Sequence, residues 1–432
     1  MLNYFNCNQK KTLKKLDTFL KKRRTNDTKK TFIVKKIIKE IKKNKDKALI
    51  KYEKKFSNLK NIKPKDIKYS KKEISLTINK LDNKIKKAID LAFNRIYKFH
   101  KKQKIKSYKI KDNYKNYVAY NSSPISRVGI YVPGGTASYP STVLMNCIPA
   151  LIAGVKEIYM TTPSMNKIYN PAVLYAAKKC KVKEIYKAGG AQAIASLAYG
   201  TKHIKKVNKI VGPGNEYVAL AKKEVFGDVG IDIIAGPSEV TIIADHKCNP
   251  EWVAADLIAQ AEHDESAQAI LISNNRKVID KVNFYLKNIL QNLPKKKIAS
   301  KSLKRFGAAI YSNKLKIISS IVNEIAPEHL EICTKNPEKM LKNIYNAGSI
   351  FLGNFSPEAM GDYIAGTNHV LPTSGSAKFS SGLSVYDFLK RHSIIKISKS
   401  GIERLGTSVI NLAEYENLKG HSNSVKLRLK KE

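Results

Sequence analysis

The N-terminal part of the chain has the residue spacing of amphipathic helices. Apolar side chains recur every three or four positions between residues 32 and 56, and lysines occupy the opposite face. A second apolar series extends to residue 96. It follows Ser70 and Glu73, whose three-residue spacing is that of a capping box. The pattern predicts one helix up to about residue 56 and another that begins at Ser70.

From Tyr117 onward, short apolar runs rich in Val, Ile and Tyr alternate with helical stretches. Eight runs have the length and composition of buried strands: 128–132, 157–160, 184–186, 209–211, 240–244, 269–272, 308–311 and 349–352. Alternation of such strands with helices is typical of parallel sheets joined by crossover helices. The predicted fold class is therefore α/β, with two such units.

The stretch 252–264 predicts a helix that ends in side chains able to bind a metal ion. Pro250 suits the first turn of this helix. Gln260 and His263 are three positions apart, so their side chains leave the same helical face about one turn from each other. Such a pair is also common as surface or capping residues. The pair indicates a metal site only if other ligands come from elsewhere in the chain.

Four turns that contain glycine lie at the boundaries of the predicted strands, at 133–135, 189–192, 212–215 and 235–238. Three of them also carry a polar side chain, namely Gln192, Asn215 and Ser238. In doubly wound sheets ligands bind at the carboxyl edge, where helix N-termini converge and glycine allows close approach. The chain has no GxGxxG motif, so tight turns without a ligand explain this pattern equally well.

The C-terminal third supplies further polar groups. Glu328 and His329 are adjacent, and a carboxylate beside an imidazole suits proton transfer, although such a dipeptide is also common on surfaces. Asp362 lies in the glycine-rich segment 360–373, which is predicted to be a loop that serves a site. Glu416 lies near the end of a helix expected at about 402–418, and His421 follows that helix. Nitrogen and oxygen ligands from separate segments, without sulfur, suit zinc.

The net charge makes nucleic-acid binding an alternative function. The 432 residues carry a formal charge of +45, which is common in proteins that bind nucleic acid. Arginine, however, occurs at only nine positions, and lysines are spread along the whole chain instead of forming one patch. Solvated surface lysines therefore explain the charge better, and we expect no nucleic-acid partner.

Cysteine content and hydropathy indicate the cellular compartment of the protein. The five cysteines form no CxxC pair, which gives no indication of a disulfide framework or a thiolate metal site. Residues 1–30 lack the apolar stretch of a signal peptide, and no later segment has the length and apolar composition of a membrane span. We expect a cytoplasmic protein without a membrane partner.

Seven motifs, taken together, resemble the histidinol dehydrogenase family. They lie at 127–135, 189–195, 212–215, 235–240, 260–263, 326–330 and 361–373. They follow the order of the family, and Glu416 and His421 in the C-terminal stretch also match. The N-terminal region matches only in its general helical character.

The resemblance implies an oxidoreductase of histidine biosynthesis that binds one zinc ion per subunit. It would oxidise L-histidinol to L-histidine through L-histidinal and pass two hydrides to two NAD molecules. The implied zinc ligands are Gln260, His263, Asp362 and His421, and the implied substrate contacts are these four residues with Ser238, His329 and Glu416. The implied catalytic residues are Glu328 and His329, and the implied NAD contacts are Tyr131, Gln192 and Asn215.

The resemblance also implies a fold of two related, doubly wound domains that are incompletely Rossmann-like and similar to aldehyde dehydrogenases. Residues 1–25 would form a helical N-terminal segment. Residues 26–131 and 238–383 would form a discontinuous α/β domain with most zinc and catalytic residues, and 132–237 a second α/β domain on the NAD side. Residues 384–432 would be an arm that completes the active site of the partner in a homodimer. A zinc hydrolase with Glu328 as its base is the alternative, but it would not need Tyr131, Gln192 and Asn215.

Overall fold

Two parallel sheets and one small antiparallel sheet organise the chain. A computed structural model describes residues 2–22, 28–57, 59, 61–134, 139–164, 169–234 and 236–430. Gly135 and Ala235, which belong to two of the glycine turns, lie outside the described residues, as do residues 23–25 of the expected N-terminal segment.

The strands of the described residues are β1 (Asn3–Asn6), β2 (Tyr108–Lys111), β3 (Tyr117–Pro124), β4 (Arg127–Tyr131), β5 (Glu157–Thr161), β6 (Glu184–Tyr186), β7 (Lys209–Val211), β8 (Gly230–Ile231), β9 (Glu239–Ala244), β10 (Gln268–Ser273), β11 (Ala308–Tyr311), β12 (His329–Cys333), β13 (Ser349–Leu352) and β14 (Leu389–Lys396). The α-helices are α1 (Lys10–Lys21), α2 (Thr28–Phe56), α3 (Lys71–Ile78), α4 (Asn83–His100), α5 (Pro140–Ala153), α6 (Pro171–Lys179), α7 (Gly190–Tyr199), α8 (Glu216–Val225), α9 (Pro250–Ala261), α10 (Arg276–Asn292), α11 (Lys296–Phe306), α12 (Leu315–Ile325), α13 (Pro337–Leu341), α14 (Glu358–Tyr363), α15 (Lys399–Tyr415) and α16 (Lys419–Leu429).

The first parallel sheet has the strand order β6-β5-β4-β7-β8. The chain enters at β4, builds outward to β6, and then returns to add β7 on the other side. The strand order therefore reverses between β4 and β7, and this is the place where doubly wound sheets bind ligands. The inner strands are apolar on both faces, as burial beneath helices requires.

The second parallel sheet has the order β1-β11-β10-β9-β12-β13, and its order reverses between β9 and β12. All eight strands expected from the sequence are present in the two parallel sheets, which confirms the α/β fold class. Three of their strands had not been identified as such, and one of these is the two-residue strand β8. β12 contains Glu and His, and β1 belongs to a segment that was expected to be helical.

The helical N-terminal region is confirmed, and its second part differs in detail. Ser70 and Glu73 form the expected capping box at the start of α3. The helix expected from Ser70 to residue 96 is instead two helices, α3 and α4. Asp82 interrupts it because its side chain accepts a hydrogen bond from the Lys84 N–H, at 2.7 Å, and so caps α4.

The N-terminal helices were expected to belong to the domain that contains residues 238–383, but they pack on the other unit. α2 packs on α7 and α8, α3 on α6, and α4 on α5 and α6, so the N-terminal helices cover the first sheet. β4 also belongs to that sheet. The helices α2, α3 and α4 and the strand β4 thus pack with the unit expected at 132–237, and the bounds of the two domains stay a prediction.

The C-terminal residues form an arm only beyond Phe388, because Val385 and Phe388 are buried in the core around the first parallel sheet. β14 pairs antiparallel with β3, which also pairs with β2. Beyond β14, α15 and α16 pack mainly on each other. The single helix expected at about 402–418 is thus a helical hairpin, and His421 lies in the first turn of α16. None of the helices formed by the described residues has the length and hydropathy needed to cross a membrane.

Candidate active site

The catalytic pair expected from the sequence lies at the amino end of β12, next to β9. The Glu239 N–H donates a hydrogen bond of 2.9 Å to Oε2 of Glu328. Nδ1 of His329 lies 3.1 Å from the Glu239 carbonyl oxygen, to which it donates. His329 is therefore held with Nε2 directed away from β9, and Nε2 lies 3.5 Å from Oδ1 of Asp362.

Three carboxyl groups surround the imidazole of His329. Oε1 of Glu358 is 3.5 Å and Oε2 of Glu328 is 3.8 Å from its Nδ1. Burial alone would lower the pKa of His329, but Glu358, Glu328 and Asp362 outweigh it and raise this pKa well above the usual range. Burial in turn raises the pKa of Glu328 to about 8, although His329 opposes the shift. In this set of charges His329 favours the imidazolium form.

Gln260 and His263 lie at the end of α9, as predicted. Pro250 occupies the first turn of that helix, and Asn249 caps it. Gln260 is buried, and neither polar atom of its amide has a hydrogen-bond partner among the described residues. Burial lowers the pKa of His263, whereas Asp362 raises it, so the two side chains are close enough to interact electrostatically. A buried amide without partners destabilises the fold unless a ligand interacts with its polar atoms.

Asp362 lies in the last turn of α14 and not in a loop, which corrects the expectation for this part of segment 360–373. The guanidinium of Arg95, on α4, donates hydrogen bonds to the carbonyl oxygens of Ile364 and Ala365, at 2.5 and 3.3 Å. Nδ1 of His369 donates to the Asp362 carbonyl oxygen at 3.0 Å. These contacts fix the backbone on the carboxyl side of Asp362.

Glu358 is a site residue that the sequence reasoning missed. Atoms of His329, Glu358 and Asp362 able to bind a metal all lie within 4.8 Å of one another. Burial raises the pKa of Glu358 to about 7, and its backbone N–H donates to Oε1 of Glu331 at 2.7 Å. The spacing of four between Glu358 and Asp362 was the available signal, because it places both side chains on one helical face.

The residues expected to contact NAD lie at the carboxyl edge of the first sheet. Tyr131 ends β4, and its hydroxyl oxygen accepts a hydrogen bond from the Gly190 N–H at 3.1 Å. Gln192 lies in the first turn of α7. Asn215 caps α8 by accepting from the Val218 N–H at 3.2 Å. The expected NAD residues thus follow β4, β6 and β7, on both sides of the point where the strand order reverses.

The glycines of these turns are required by contacts within the protein. A Cβ at Gly189 would lie 2.7 Å from Cβ of Pro163, and one at Gly134 would lie 2.6 Å from Cγ of the same proline. Gly212 has a φ of +116°, and its Cβ would lie 2.1 Å from the Tyr131 carbonyl oxygen. Packing within the protein therefore requires these glycines, and their presence does not by itself indicate a ligand.

The turn that contains Ser238 lies at the amino edge of the second sheet and not at a carboxyl edge. It precedes β9, so Ser238 lies at the amino end of the second sheet, beside Glu328 and His329. The sequence reasoning had associated all four glycine turns with a carboxyl edge. The Gly236 N–H donates to Oγ1 of Thr373 at 2.6 Å, which joins this turn to the segment that follows Asp362.

A profile of the histidinol dehydrogenase family matches residues 20–429 of the chain. The chain belongs to the histidinol dehydrogenase family. The histidinol dehydrogenase of Pelagibacter ubique is 55% identical over 432 residues, which cover all of both chains. That of Clostridium acetobutylicum is 48% identical over 398 residues, 92% of each chain.

A solved structure agrees with this assignment. The crystal structure of histidinol dehydrogenase from Elizabethkingia anophelis superposes with a TM-score of 0.93 at 40% sequence identity. The match covers 99% of this chain and 98% of that one. The protein is therefore an oxidoreductase of the histidinol dehydrogenase family, and the resemblance found in the sequence motifs is confirmed.

The arm places two of the expected histidinol dehydrogenase site residues apart from the others. Glu416 ends α15 and His421 lies in α16, and both are exposed. Across the described ranges, no recorded hydrogen bond or ion pair joins either side chain to the group formed by His263, His329 and Asp362. The expectation that these two residues serve a partner's site remains a prediction.

Proposed function

We propose that this enzyme catalyses the zinc- and NAD-dependent oxidation of L-histidinol to L-histidine through L-histidinal, at the end of histidine biosynthesis in the cytoplasm. The observation that carries the proposal is the buried amide of Gln260, which lacks partners among the described residues and lies three positions before His263, whose pKa is affected by Asp362 and His329. This donor set of nitrogen and oxygen suits zinc.

Gln260, His263 and Asp362 would hold the metal, with His421 of a second copy as the fourth protein ligand. Bound zinc would act as a template that holds the imidazole and amino groups of the substrate. Among the residues present, the unpartnered Gln260 amide and the lowered pKa of His263 fit this role, because an uncharged imidazole is the form that binds a metal.

His329 would accept the proton of the substrate hydroxyl while hydride leaves the carbon, and NAD, when bound, supplies the hydride acceptor. The imidazole must be neutral to do so. Asp362 is one of three carboxyl groups that raise its pKa, so engagement of Asp362 by a cation would favour the neutral form. The ring is held ready for this role by its Nδ1 hydrogen bond to β9.

Glu328 would act in the second half of the reaction. Histidinal must add water across its carbonyl before a second hydride can leave, and a carboxylate beside the site can remove a proton from that water. A pKa of about 8 makes ionised Glu328 a stronger base than an ordinary carboxylate. Over both halves one histidinol, one water and two NAD give one histidine carboxylate, two NADH and three protons.

The test is NADH absorbance on addition of histidinol and NAD, with and without a metal chelator. We expect histidinol-dependent NADH formation that the chelator abolishes and added zinc restores. The circular dichroism spectrum should be unchanged by the chelator, because a core of this size does not depend on one ion. Full activity in a preparation shown by elemental analysis to be metal-free would overturn the role of zinc.

A further inference from the structure

A buried carboxylate from the N-terminal helix α2 reaches the side of the molecule expected to bind NAD. Glu53 is fully buried. Its Oε1 accepts hydrogen bonds from the Gly189 N–H, at 3.1 Å, and from Nε2 of Gln192, at 2.9 Å. Its Oε2 accepts from the Ser57 hydroxyl at 2.5 Å. One side chain therefore holds both the glycine turn after β6 and the amide of Gln192.

The burial of Glu53 calls for an explanation beyond packing. Its three hydrogen-bond donors are uncharged, and an apolar residue would join α2 to α7 without the cost of desolvating a carboxylate. Burial raises the pKa of Glu53 although all three donors oppose the shift. A fully buried carboxyl group held by three hydrogen bonds beside a glycine turn is therefore a candidate for a role in a neighbouring site.

We propose that Glu53 is a positioning residue of the NAD site, an inference that rests on the proposed function. Because Nε2 of Gln192 donates one of its two hydrogens to Glu53, the orientation of the amide is fixed, and its oxygen, which can only accept hydrogen bonds, accepts none from the described residues. Gln192 is thereby set to meet a donor on the dinucleotide, such as a ribose hydroxyl or an amino group.

The same contact determines which part of the dinucleotide this turn can meet. The N-terminus of α7 would otherwise be an anion site, but Glu53 already accepts from the Gly189 N–H and places a carboxyl group there. A phosphate close to Glu53 would face a carboxyl oxygen, and the Gly189 N–H that could have bound it already donates to that oxygen. The turn at 189–192 therefore contacts an uncharged part of NAD, and the pyrophosphate binds elsewhere.

The chain offers a matched control on the same helix. Asp46 lies seven residues before Glu53, on the same face of α2. It accepts from the Thr201 hydroxyl at 2.8 Å and from the Lys202 N–H at 2.9 Å. Both carboxylates thus join α2 to an end of α7, but Asp46 holds the end about 15 Å away from the turn. Loss of Asp46 should weaken the fold without a specific effect on NAD.

The experiment compares Glu53→Ala, Glu53→Asp, Glu53→Gln and Asp46→Ala in the full-length enzyme. We measure KM for NAD and for histidinol, and NADH binding by fluorescence without substrate. Glu53→Ala should raise KM for NAD and the Kd for NADH about tenfold, because two hydrogen bonds that orient the turn are lost, while KM for histidinol stays within about twofold. Glu53→Asp is the second variant should Glu53→Ala fail to fold. Its shorter side chain should shift the NAD parameters in the same direction.

Glu53→Gln retains an acceptor oxygen and should restore both NAD parameters to within about threefold of wild type, and Asp46→Ala should leave them unchanged. Wild-type NADH affinity in Glu53→Ala or Glu53→Asp would overturn the proposal. So would an equal loss in Asp46→Ala, which would indicate a general structural effect. Absence of histidinol-dependent NADH formation in the wild-type enzyme would instead overturn the proposed function.

Discussion

His329 lies among three carboxyl groups, and its protonation decides whether it can serve as a base. Glu358 and Glu328 lie on its Nδ1 side, and Asp362 lies on its Nε2 side. Nδ1 is already committed to the Glu239 carbonyl, so Nε2 is the atom that exchanges a proton with a substrate. The chemistry of the site thus depends on how the charge of Asp362 is compensated.

Replacement of His329 by Asn should lower turnover by about two to four orders of magnitude with histidinol and with histidinal. A general base usually contributes a rate factor of this size. NADH formation from each substrate gives the two rates. His246→Asn, at an exposed histidine after β9, is the control and should keep wild-type activity. Loss of activity with one substrate alone would contradict a role in both steps.

Replacement of Glu328 by Gln should slow the oxidation of histidinal much more than that of histidinol, because only the second step consumes water. In the wild type the histidinal rate should rise with pH as Glu328 ionises, with a midpoint between the usual value of 4.5 and about 8. The variant should lose this rise. If Glu328→Gln oxidises supplied histidinal at the wild-type rate, Glu328 does not activate water.

At the scale of elements, periodicity predicted the buried strands well because each is a continuous apolar run. It missed β12, because His329 and Glu331 are polar residues inside a buried strand, and it missed the break at Asp82, because apolar spacing continues across it. The prediction of site residues had the same limit, because it also depended on local sequence patterns. Motif resemblance predicted His263 and Asp362 as site residues, whereas the contact of Glu53 with Gln192 became apparent only in the fold, which brings α2 next to α7.

The turn after β7, on the side expected to bind NAD, is fixed by side chains from α8 and from the segment after β8. Lys222 donates to the Gly212 carbonyl oxygen at 3.0 Å, and Oδ2 of Asp232 accepts from the Gly212 N–H at 2.8 Å. Lys222 and Asp232 also form a buried ion pair with each other. Both backbone groups of Gly212 are therefore fixed, and the turn has little freedom to accommodate a side chain.

Gly212→Ala should lower the free energy of unfolding by about 2 kcal/mol more than Gly227→Ala, as measured by urea denaturation. Both glycines have positive φ, so both variants incur backbone strain. Only at Gly212 would a Cβ collide with the Tyr131 carbonyl oxygen, because nothing lies within 4 Å of a Cβ at Gly227. Equal destabilisation of the two variants would show that this close approach is unimportant.

At the scale of the whole molecule, the arm leaves apolar side chains exposed. Leu405, Val409, Leu412 and Leu418 on α15 and the following turn are 43–65% exposed. An exposed apolar surface of this kind is typical of an interface between subunits. We expect a homodimer in which the arm of each chain carries Glu416 and His421 to the active site of the other.

Mixing the inactive variants His263→Ala and His421→Ala under conditions of subunit exchange should restore activity. If sites are shared, a hybrid dimer has one site with both lesions and one with neither. Up to half of its sites are then intact, and NADH formation should reappear as hybrids form. If mass spectrometry confirms exchange and the mixture stays inactive, each chain supplies its own His421.

The stoichiometry of the reaction shows whether this enzyme carries out both oxidations of histidinol. Limiting L-histidinol is incubated with excess NAD and enzyme, and NADH is measured by absorbance while histidine is measured by chromatography. The four-electron reaction predicts two NADH and one histidine for each histidinol consumed, with no accumulation of free histidinal. One NADH for each histidinol with accumulated histidinal, or histidine formed without NADH, would contradict the proposed function.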